Sequence, residues 1–175
     1  TKNIVIIRSN GGEMSIDMAC KKPIETTVSG PTGGVVAAKF ISENINEKNI
    51  VTIDMGGTST DCSTIVNGNI SFTTSFELEW GLPIQIPMID IRTIGAGGGS
   101  IAWVDKGGLL RVGPQSSGSN PGPACYGLGG KDSTVTDANL SLNRINPNYF
   151  LGGSMNLNIK KSQEALKMLS SKLES

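Results

Sequence analysis

The segment from Asp54 to Asp61 restricts the fold of this chain more than any other part of its sequence. Its order is Asp, Met, two glycines, three hydroxyl residues and a second Asp, and runs of strand-forming residues flank it at 49–53 and 62–66. This pattern predicts two neighbouring strands that are joined by a sharp turn. Because Gly56 and Gly57 carry no Cβ, backbone N–H groups of the turn can approach an anion closely.

Two interpretations of this turn compete. A Gly-Gly pair alone favours a hairpin without a ligand. In the other interpretation, backbone amides and the hydroxyls of Thr58 and Ser59 bind phosphate groups, while Asp54 supplies a carboxylate for a hydrated metal ion. Because Asp54 and Asp61 bracket the turn and three hydroxyls lie within it, we favour the phosphate-binding interpretation.

The composition is that of a globular chain. A length of 175 residues predicts one domain or two small lobes, and 37% hydrophobic with 17% charged residues argues against disorder. The net charge of zero indicates neither a nucleic acid nor an anionic membrane as a partner. We find no apolar run of membrane-spanning length and no opening signal peptide, and therefore expect a cytoplasmic protein.

Histidine is absent from the sequence, and the three cysteines lie far apart at positions 20, 62 and 125. This pattern predicts neither a zinc cluster nor a disulfide framework. It also excludes Ser-His and Cys-His nucleophile pairs within this chain.

Runs of apolar and β-branched residues predict strands along much of the chain. A buried strand is expected at 3–7, and its early position suggests a fragment of a longer protein, with a compact protein that starts on an edge strand as the alternative. Asn67-Gly68 predicts a tight hairpin that returns the chain as a third antiparallel strand over 69–73. Further strands are predicted at 89–94, 101–105 and 109–112, and ordered loops at 77–88, around Trp80, and at 113–130.

Helical spacing of apolar residues predicts a short helix at 15–20, a helix over 35–45, a short helix from Thr136 or Asp137 to about Arg144, and an amphipathic structural helix over 159–173. Ser29 is a candidate N-cap for the second of these helices. The glycine-rich segment 29–34 before it has two equally weighted interpretations. Its free N–H groups face a ligand, or its glycines permit tight packing of the helix on a sheet.

A second glycine cluster occupies residues 95–100. Four glycines so close together serve backbone geometry or the approach of a ligand, because they would weaken a regular element. The pattern differs from the dinucleotide fingerprint, since a strand and not a helix is predicted after it. We therefore expect a loop between strands that contacts a ligand.

Five motifs occur together in this chain, at 54–61, 90–100, 121–127, 135–139 and 150–153. With them the chain resembles the hydantoinase A / 5-oxoprolinase family, which also includes the beta subunit of acetone carboxylase. The resemblance extends from about Ser29 to Met155. Because the catalytic chains of this family are several times longer, residues 1–175 are expected to form a single-domain fragment from the central part of an ATPase-like region.

The resemblance implies an α/β fold: a ribonuclease H-like lobe, similar to those of the actin, sugar kinase and heat-shock-70 ATPase superfamily, with a mixed sheet and flanking helices. In that superfamily two ribonuclease H-like lobes clamp ATP between them, with a first phosphate loop near the start of the protein and a second near its middle. The segment 54–61 resembles the second loop, and the first has no counterpart in this sequence. Half a cleft leaves bound phosphates exposed to water, so we expect weak nucleotide binding at best, and no turnover, by the chain alone.

The function implied by the resemblance is that of an ATP- and Mg²⁺-dependent amidohydrolase. It would open a cyclic amide (hydantoin, N-methylhydantoin or 5-oxoproline) through a phosphorylated intermediate. The expected partners are this substrate, the remainder of a longer chain and a subunit of the hydantoinase B type, but no nucleic acid or membrane. The alternatives are the beta subunit of an acetone-type carboxylase and a non-catalytic actin-like ATP-binding module, which would lack the motifs at 90–100 and 121–139.

The site roles follow from the same resemblance. Backbone N–H groups of the turn would hold the β- and γ-phosphates, and Asp54 would orient Mg²⁺ or position the nucleophile. The predicted cofactor-binding residues are Asp54, Gly56, Gly57, Thr58, Ser59, Asp61, Gly97, Gly98 and Gly99.

Asp90 and Asp137 join Asp54 as catalytic candidates, although a cap or turn role is the stronger alternative for Asp137. Most members of the family carry His where this chain has Arg92. An arginine cannot ligate a metal but binds carboxylate or phosphate, so Arg92 is predicted to contact the substrate. Thr32 and Cys62 stand where Ala and Val are usual, and these differences concern packing.

Overall fold

The computed structural model describes residues 4–78 and 82–173. Within them the chain forms two compact units. The first unit contains the residues up to 54 and residues 61–93, and the second contains residues 55–60 and those from 94 onward. None of the described helices is long and apolar enough to cross a membrane.

The first unit combines short strands with two helices. Its elements are β1 (Val5–Ile7), β2 (Glu13–Ser15), α1 (Ile16–Lys21), α2 (Ser29–Ile45), β3 (Ile50–Met55), β4 (Thr60–Val66), β5 (Asn69–Ile70), β6 (Phe72–Thr73), β7 (Phe76–Leu78), β8 (Leu82–Ile84), β9 (Met88–Ile89) and β10 (Arg92–Ile94). Strands β3, β4 and β10 form a sheet in the order β10-β4-β3. The pairs β1–β2, β4–β5, β6–β9 and β7–β8 are antiparallel.

The hairpin predicted at Asn67-Gly68 is confirmed. Both residues have positive φ, 53° and 77°, as a type I′ turn requires, and Ile65 lies opposite Ile70 across the ladder. The predicted third strand over 69–73 is wrong in its continuity, because it divides into β5 and β6, and β6 pairs with β9. The predicted strand over 89–94 divides likewise into β9 and β10.

Helix α2 begins at Ser29, six residues before the expected start. Its N-cap position is Val28, with no capping side chain, so the predicted N-cap role of Ser29 is wrong. Within this first turn a Cβ added to Gly33 would lie 3.4 Å from Cδ1 of Ile7. This contact supports the packing interpretation for Gly33 alone. A Cβ at Gly30 or Gly34 would meet no atom within 4 Å, so both interpretations stay open there.

Two further expectations for the first unit differ from the structure. The opening strand is short and exposed at Val5, whose relative exposure is 53%, so its predicted burial is wrong. Asn3, the first residue of that predicted strand, lies outside the described residues. The loop predicted over 77–88 instead contains parts of β7 and β8, while Trp80 lies outside the described residues.

The second unit contains β11 (Ser100–Val104), β12 (Leu110–Ser116), α3 (Val135–Ser141) and α4 (Ile159–Leu173), with short 3-10 turns at Ala124–Tyr126 and Leu151–Gly153. The antiparallel β11–β12 pair and the final helix confirm the predictions. Strand β12 continues to Ser116, so the prediction that a loop begins at Gly113 is wrong by four residues. The core holds the buried residues Cys125, Leu140 and Leu157, against which Tyr126, Ile145, Phe150, Met155 and Ile159 pack.

Helix α3 begins with a capping box. The Thr134 hydroxyl accepts a hydrogen bond from the backbone N–H of Asp137, and the Asp137 carboxylate accepts one from the N–H of Thr134. The cap therefore lies at Thr134, and the prediction of Thr136 or Asp137 is wrong by two or three positions. The helix ends at Ser141, earlier than the predicted Arg144.

Candidate functional site

The turn after β3 presents two free amides. Inside it the Gly56 N–H donates to the carbonyl of Ser59 at 2.9 Å. Among the described residues, the N–H groups of Gly57 and Thr58 have no protein acceptor. The Thr60 hydroxyl donates to the carbonyl of Ala96 at 2.5 Å and anchors the far end of the turn. Of the three predicted phosphate donors, Gly56 is therefore already occupied, and Gly57 and Thr58 remain available.

The second glycine cluster packs directly against this turn. The Gly98 N–H donates to the carbonyl of Gly56 at 2.9 Å, and the Gly99 N–H donates to the carbonyl of Gly57 at 2.6 Å. These two bonds join the loops backbone to backbone. They hold the carbonyls of Gly56 and Gly57 on the cluster, within the second unit.

Gly97 is the closest point of this contact. A Cβ at this position would lie 2.6 Å from the Ser59 nitrogen and 2.7 Å from the Thr58 nitrogen, nearer than real Cβ atoms come. Its N–H donates to the Ser100 hydroxyl at 2.8 Å. The amides of all three predicted cluster residues are thus used within the protein. Their observed role is to support the turn, while backbone contact of Gly98 or Gly99 with a ligand stays a prediction.

A cavity of about 450 Å³ lies beside the turn, within the second unit. Its lining has two chemical characters. Backbone and small polar groups come from Gly56, Gly57, Thr58, Gly98, Gly99, Ser116, Gly118, Ser119, Thr136 and Asn139, and apolar surface comes from Met55, Pro123, Tyr126, Ile145 and Phe150. The described residues that line it include no charged side chain. The turn amides can therefore receive an anion here without competition from a carboxylate.

Asp137 lies in the core, where its carboxylate holds neighbouring segments together through hydrogen bonds. Its carboxylate is fully buried and accepts hydrogen bonds from the N–H groups of Ala124 and Cys125 at 3.2 and 2.8 Å. It also accepts from the N–H and hydroxyl of Thr134 and from the Ser162 hydroxyl, the last two at 2.7 and 2.8 Å. A catalytic role for Asp137 stays a prediction, but these five bonds argue for the cap role.

Cys125 is buried against Asp137. Burial, and then the charge of Asp137, raise the pKa of the Cys125 thiol from 9.0 to about 12. The thiol therefore stays protonated near neutral pH, and it is not a nucleophile in the folded chain.

The acidic residues predicted at the turn lie in the first unit. Asp54 is exposed at the end of β3. Asp61 accepts a hydrogen bond from the Thr93 hydroxyl at 2.6 Å, which joins β4 to β10. Among the described residues no group of three or more His, Cys, Asp or Glu side chains could hold a metal ion. A Mg²⁺ ion at Asp54 would depend on water and phosphate oxygens for its other ligands.

Asp90 and Arg92 form an ion pair, in which Nε of Arg92 lies 3.0 Å from Oδ1 of Asp90. The Arg92 side chain is 79% exposed, so this pair contributes little to stability. The guanidinium remains accessible to an anionic group of a substrate. The predicted roles of Asp90 and Arg92 stay predictions.

Sequence reasoning did not assign several cavity residues, among them Ser116, Ser119, Tyr126, Asn139, Ile145 and Phe150. A signal was present, because three of them lie in motifs on which the resemblance rests, at 121–127, 135–139 and 150–153. These motifs lie far apart in the chain, and no local periodicity shows that they meet.

The sequence is similar to a known protein family and to curated proteins. Residues 1–175 match the hydantoinase/oxoprolinase family. The chain is 40% identical to caprolactamase subunit alpha of Pseudomonas jessenii over 91% of its own length, and 42% identical to 5-oxoprolinase of Saccharomyces cerevisiae over 85%. It spans 23% and 11% of the lengths of these two relatives.

Two solved structures are similar to the chain over nearly its whole length. One is the nucleotide-free structure of acetone carboxylase, an enzyme of ATP-dependent acetone carboxylation, with a TM-score of 0.79 and 31% sequence identity. The match covers 98% of this chain and 24% of the acetone carboxylase chain. The other is the ATP-dependent caprolactamase from Pseudomonas jessenii, with a TM-score of 0.75 and 39% sequence identity. This match covers 92% of this chain and 23% of the caprolactamase chain. These similarities confirm the predicted α/β fold of the actin-like ATPase type.

Proposed function

This chain belongs to the hydantoinase/oxoprolinase family, and from this premise we propose that it is the nucleotide-binding part of an ATP-dependent cyclic amide hydrolase. The proposed substrates are hydantoin, N-methylhydantoin or 5-oxoproline. Its similarity to only 11–26% of the length of curated relatives supports the proposal that it is one part of a longer chain, for which we also propose a cytoplasmic location.

The free amides of Gly57 and Thr58 carry this proposal. They lie at a cavity whose described lining residues carry no charged side chain, and the glycine cluster holds their turn through two backbone hydrogen bonds. Preorganised N–H groups of this kind stabilise phosphate oxygens without needing to rearrange. The hydroxyls of Thr58 and Ser59 are further candidate donors.

The chemistry that we propose explains why such an enzyme uses ATP. An unstrained cyclic amide is a poor electrophile, so its carbonyl oxygen first takes the γ-phosphoryl group and ADP departs. Water then adds to the carbonyl carbon, the C–N bond breaks, and the nitrogen takes up a proton. These steps give an acyl phosphate. A second water then hydrolyses the acyl phosphate to inorganic phosphate and the ring-opened acid.

Asp54 is the residue that we propose to hold Mg²⁺ through water. The ion would neutralise charge on the β- and γ-phosphates. Asp90 and Arg92 are proposed to act on the substrate. Asp90 is a candidate acid or base, and Arg92 pairs with a substrate carboxylate or phosphate.

Two other functions share parts of this support. The similarity to acetone carboxylase favours a carboxylase subunit that activates a ketone as its phosphorylated enol. A non-catalytic ATP-binding module requires only the turn. For each enzyme we propose a partner of the hydantoinase B type, in line with the subunit names of the caprolactamase and acetone carboxylase relatives.

Phosphate release by the full-length protein with its partner subunit tests the proposal. We expect release of ADP and phosphate to rise when a cyclic amide is added, with the ring-opened acid as product. Stimulation by a ketone and bicarbonate, without response to any cyclic amide, would favour the carboxylase. Binding of ATP with no stimulation by either class of compound would favour the non-catalytic module.

A further inference from the structure

The cavity beside the turn contains surface that phosphate groups do not use. Pro123, Tyr126, Ile145 and Phe150 contribute apolar side chains to its wall. A phosphate oxygen against such a wall loses hydration and gains no hydrogen bond. The volume of about 450 Å³ falls within the roughly 300–1,000 Å³ typical of small-molecule pockets. The cavity therefore has room for an uncharged part of a ligand as well as its phosphates.

The aromatic part of this wall is fixed in position. The rings of Tyr126 and Phe150 lie 5.6 Å apart between centroids, tilted by 47°, and both pack on the buried core. Gly122 has a φ of 72°, and a Cβ there would lie 2.6 Å from the Tyr126 ring. Because the rings are held before a ligand arrives, little side-chain entropy is lost when a flat group stacks on them.

A polar group suited to a heterocycle lies in the same cavity. Asn139 lines it, and its side-chain oxygen accepts one long hydrogen bond from Arg144, at 3.4 Å. The Asn139 NH₂ group donates to no protein acceptor among the described residues. A carboxamide offers both a donor and an acceptor, which match the N–H, C=O and ring-nitrogen edges of planar nitrogen heterocycles.

We propose that the cavity of the second unit binds a planar, uncharged nitrogen heterocycle next to the phosphate groups, with Tyr126 and Phe150 as its stacking wall and Asn139 at its polar edge. This inference rests on the proposed phosphate site. It adds a ring site to the turn. Two sources supply such a ring. The adenine of ATP is flat and offers an amino group and ring nitrogens, and a hydantoin is nearly flat and offers N–H and C=O groups.

These two sources are distinguished by binding experiments with three ligands: phosphates without a ring, phosphates with the purine, and the cyclic amide. Amide NMR titrations of the ¹⁵N-labelled chain, which detect weak binding, would use Mg²⁺ with inorganic triphosphate, Mg²⁺ with ATP, and hydantoin in the presence of Mg²⁺ and triphosphate. The test variant is Tyr126→Leu, which removes the aromatic face together with the phenol hydroxyl and keeps an apolar side chain, and Tyr126→Phe, which removes the hydroxyl alone, separates the two. The matched control is Tyr149→Leu, because Tyr149 is 66% exposed and outside the cavity lining.

We expect triphosphate to bind equally to all four proteins. If the ring site takes the purine, ATP binds more tightly than triphosphate, and Tyr126→Leu weakens ATP binding about tenfold. If it takes the cyclic amide, Tyr126→Leu weakens hydantoin binding by a similar factor and leaves ATP unchanged. Either result supports the ring site and names its source.

Two outcomes would contradict the proposals at different levels. If triphosphate binds but Tyr126→Leu changes neither ATP nor hydantoin affinity by more than about twofold, the ring site is wrong and the phosphate site stands. If triphosphate binds neither to this chain nor to the full-length protein, the proposed function and the ring site both fail. Should Tyr126→Leu not fold, Asn139→Ala, at a half-exposed position, tests the polar edge with the same ligands and an expected loss of about fivefold.

Discussion

Gly97 lies so close to the backbone of the turn after β3 that no other residue fits there without movement. An alanine Cβ would lie 2.6 Å from the Ser59 nitrogen. We predict that Gly97→Ala lowers the free energy of unfolding by about 1–3 kcal/mol and weakens triphosphate binding, measured by urea unfolding and NMR titration. Gly95→Ala is the control, because a Cβ at Gly95 would meet no atom within 4 Å. Equal effects of the two substitutions would contradict the supporting role of Gly97.

Asp137 is expected to matter for folding through its five buried hydrogen bonds. Asp137→Ala leaves the N–H groups of Ala124 and Cys125 without their acceptor. We predict a loss of about 3–5 kcal/mol in the free energy of unfolding, against less than about 0.5 kcal/mol for Asp132→Ala at an exposed position. A stable Asp137→Ala chain whose full-length form has lost only activity would restore Asp137 as a catalytic residue.

Cys125 is predicted to resist alkylation in the folded chain. At pH 8 iodoacetamide should modify the exposed Cys20, while Cys125 reacts only after unfolding, as peptide mass spectrometry will show. Folding raises its thiol pKa from 9.0 to about 12. The stabilising contribution of the protonated thiol is therefore complete below pH 9 and is lost as the pH rises toward 12. Rapid modification of Cys125 in the native chain would contradict this burial.

At the level of residues, sequence reasoning located the turn because its chemistry is local. Gly57 and Thr58 stand next to each other, and their type and order indicate anion binding. Tyr126 and Asn139 join the cavity through tertiary packing of a loop and a helix, which no local pattern encodes. The sequence also could not show that the Gly56 N–H donates to the Ser59 carbonyl, because this hydrogen bond depends on the geometry of the turn.

Alanine substitutions in helix α2 test whether its glycines are needed for packing or for a ligand. Gly34 lies within the helix and has open space around its Cα. We predict that Gly34→Ala raises the free energy of unfolding by about 0.5–1 kcal/mol, because alanine favours the helix. Gly33→Ala should gain less, since its Cβ would meet Ile7 at 3.4 Å. Urea unfolding measures both, and a clear loss of stability for Gly34→Ala would indicate a requirement that the structure does not explain.

Elements with local signals were predicted best. The β4–β5 hairpin is specified by Asn67-Gly68, and α4 by its apolar stripe. The pairing of β6 with β9 was missed because residues 72–73 and 88–89 are too short and too far apart for periodicity to show it. The early start of α2 was missed because glycines normally oppose helix formation, and here packing against Ile7 accompanies them.

For the whole molecule, the family match and the two similar structures agree on an actin-like ATPase fold. The phosphate turn, its glycine support and the cavity all belong to the second unit. Asp54, Asp61, Asp90 and Arg92 belong to the first. Phosphate binding therefore tests the second unit by itself.

The account depends most on the turn amides, and an amide NMR titration of the ¹⁵N-labelled chain with Mg²⁺ and ATP tests them directly. We predict weak binding in which the N–H resonances of Gly57 and Thr58 shift most. The N–H groups of Gly56 and Gly98, which already donate within the protein, should shift less. Saturable binding that leaves Gly57 and Thr58 unmoved, or no binding at millimolar ATP, would contradict the proposal that this turn receives phosphate.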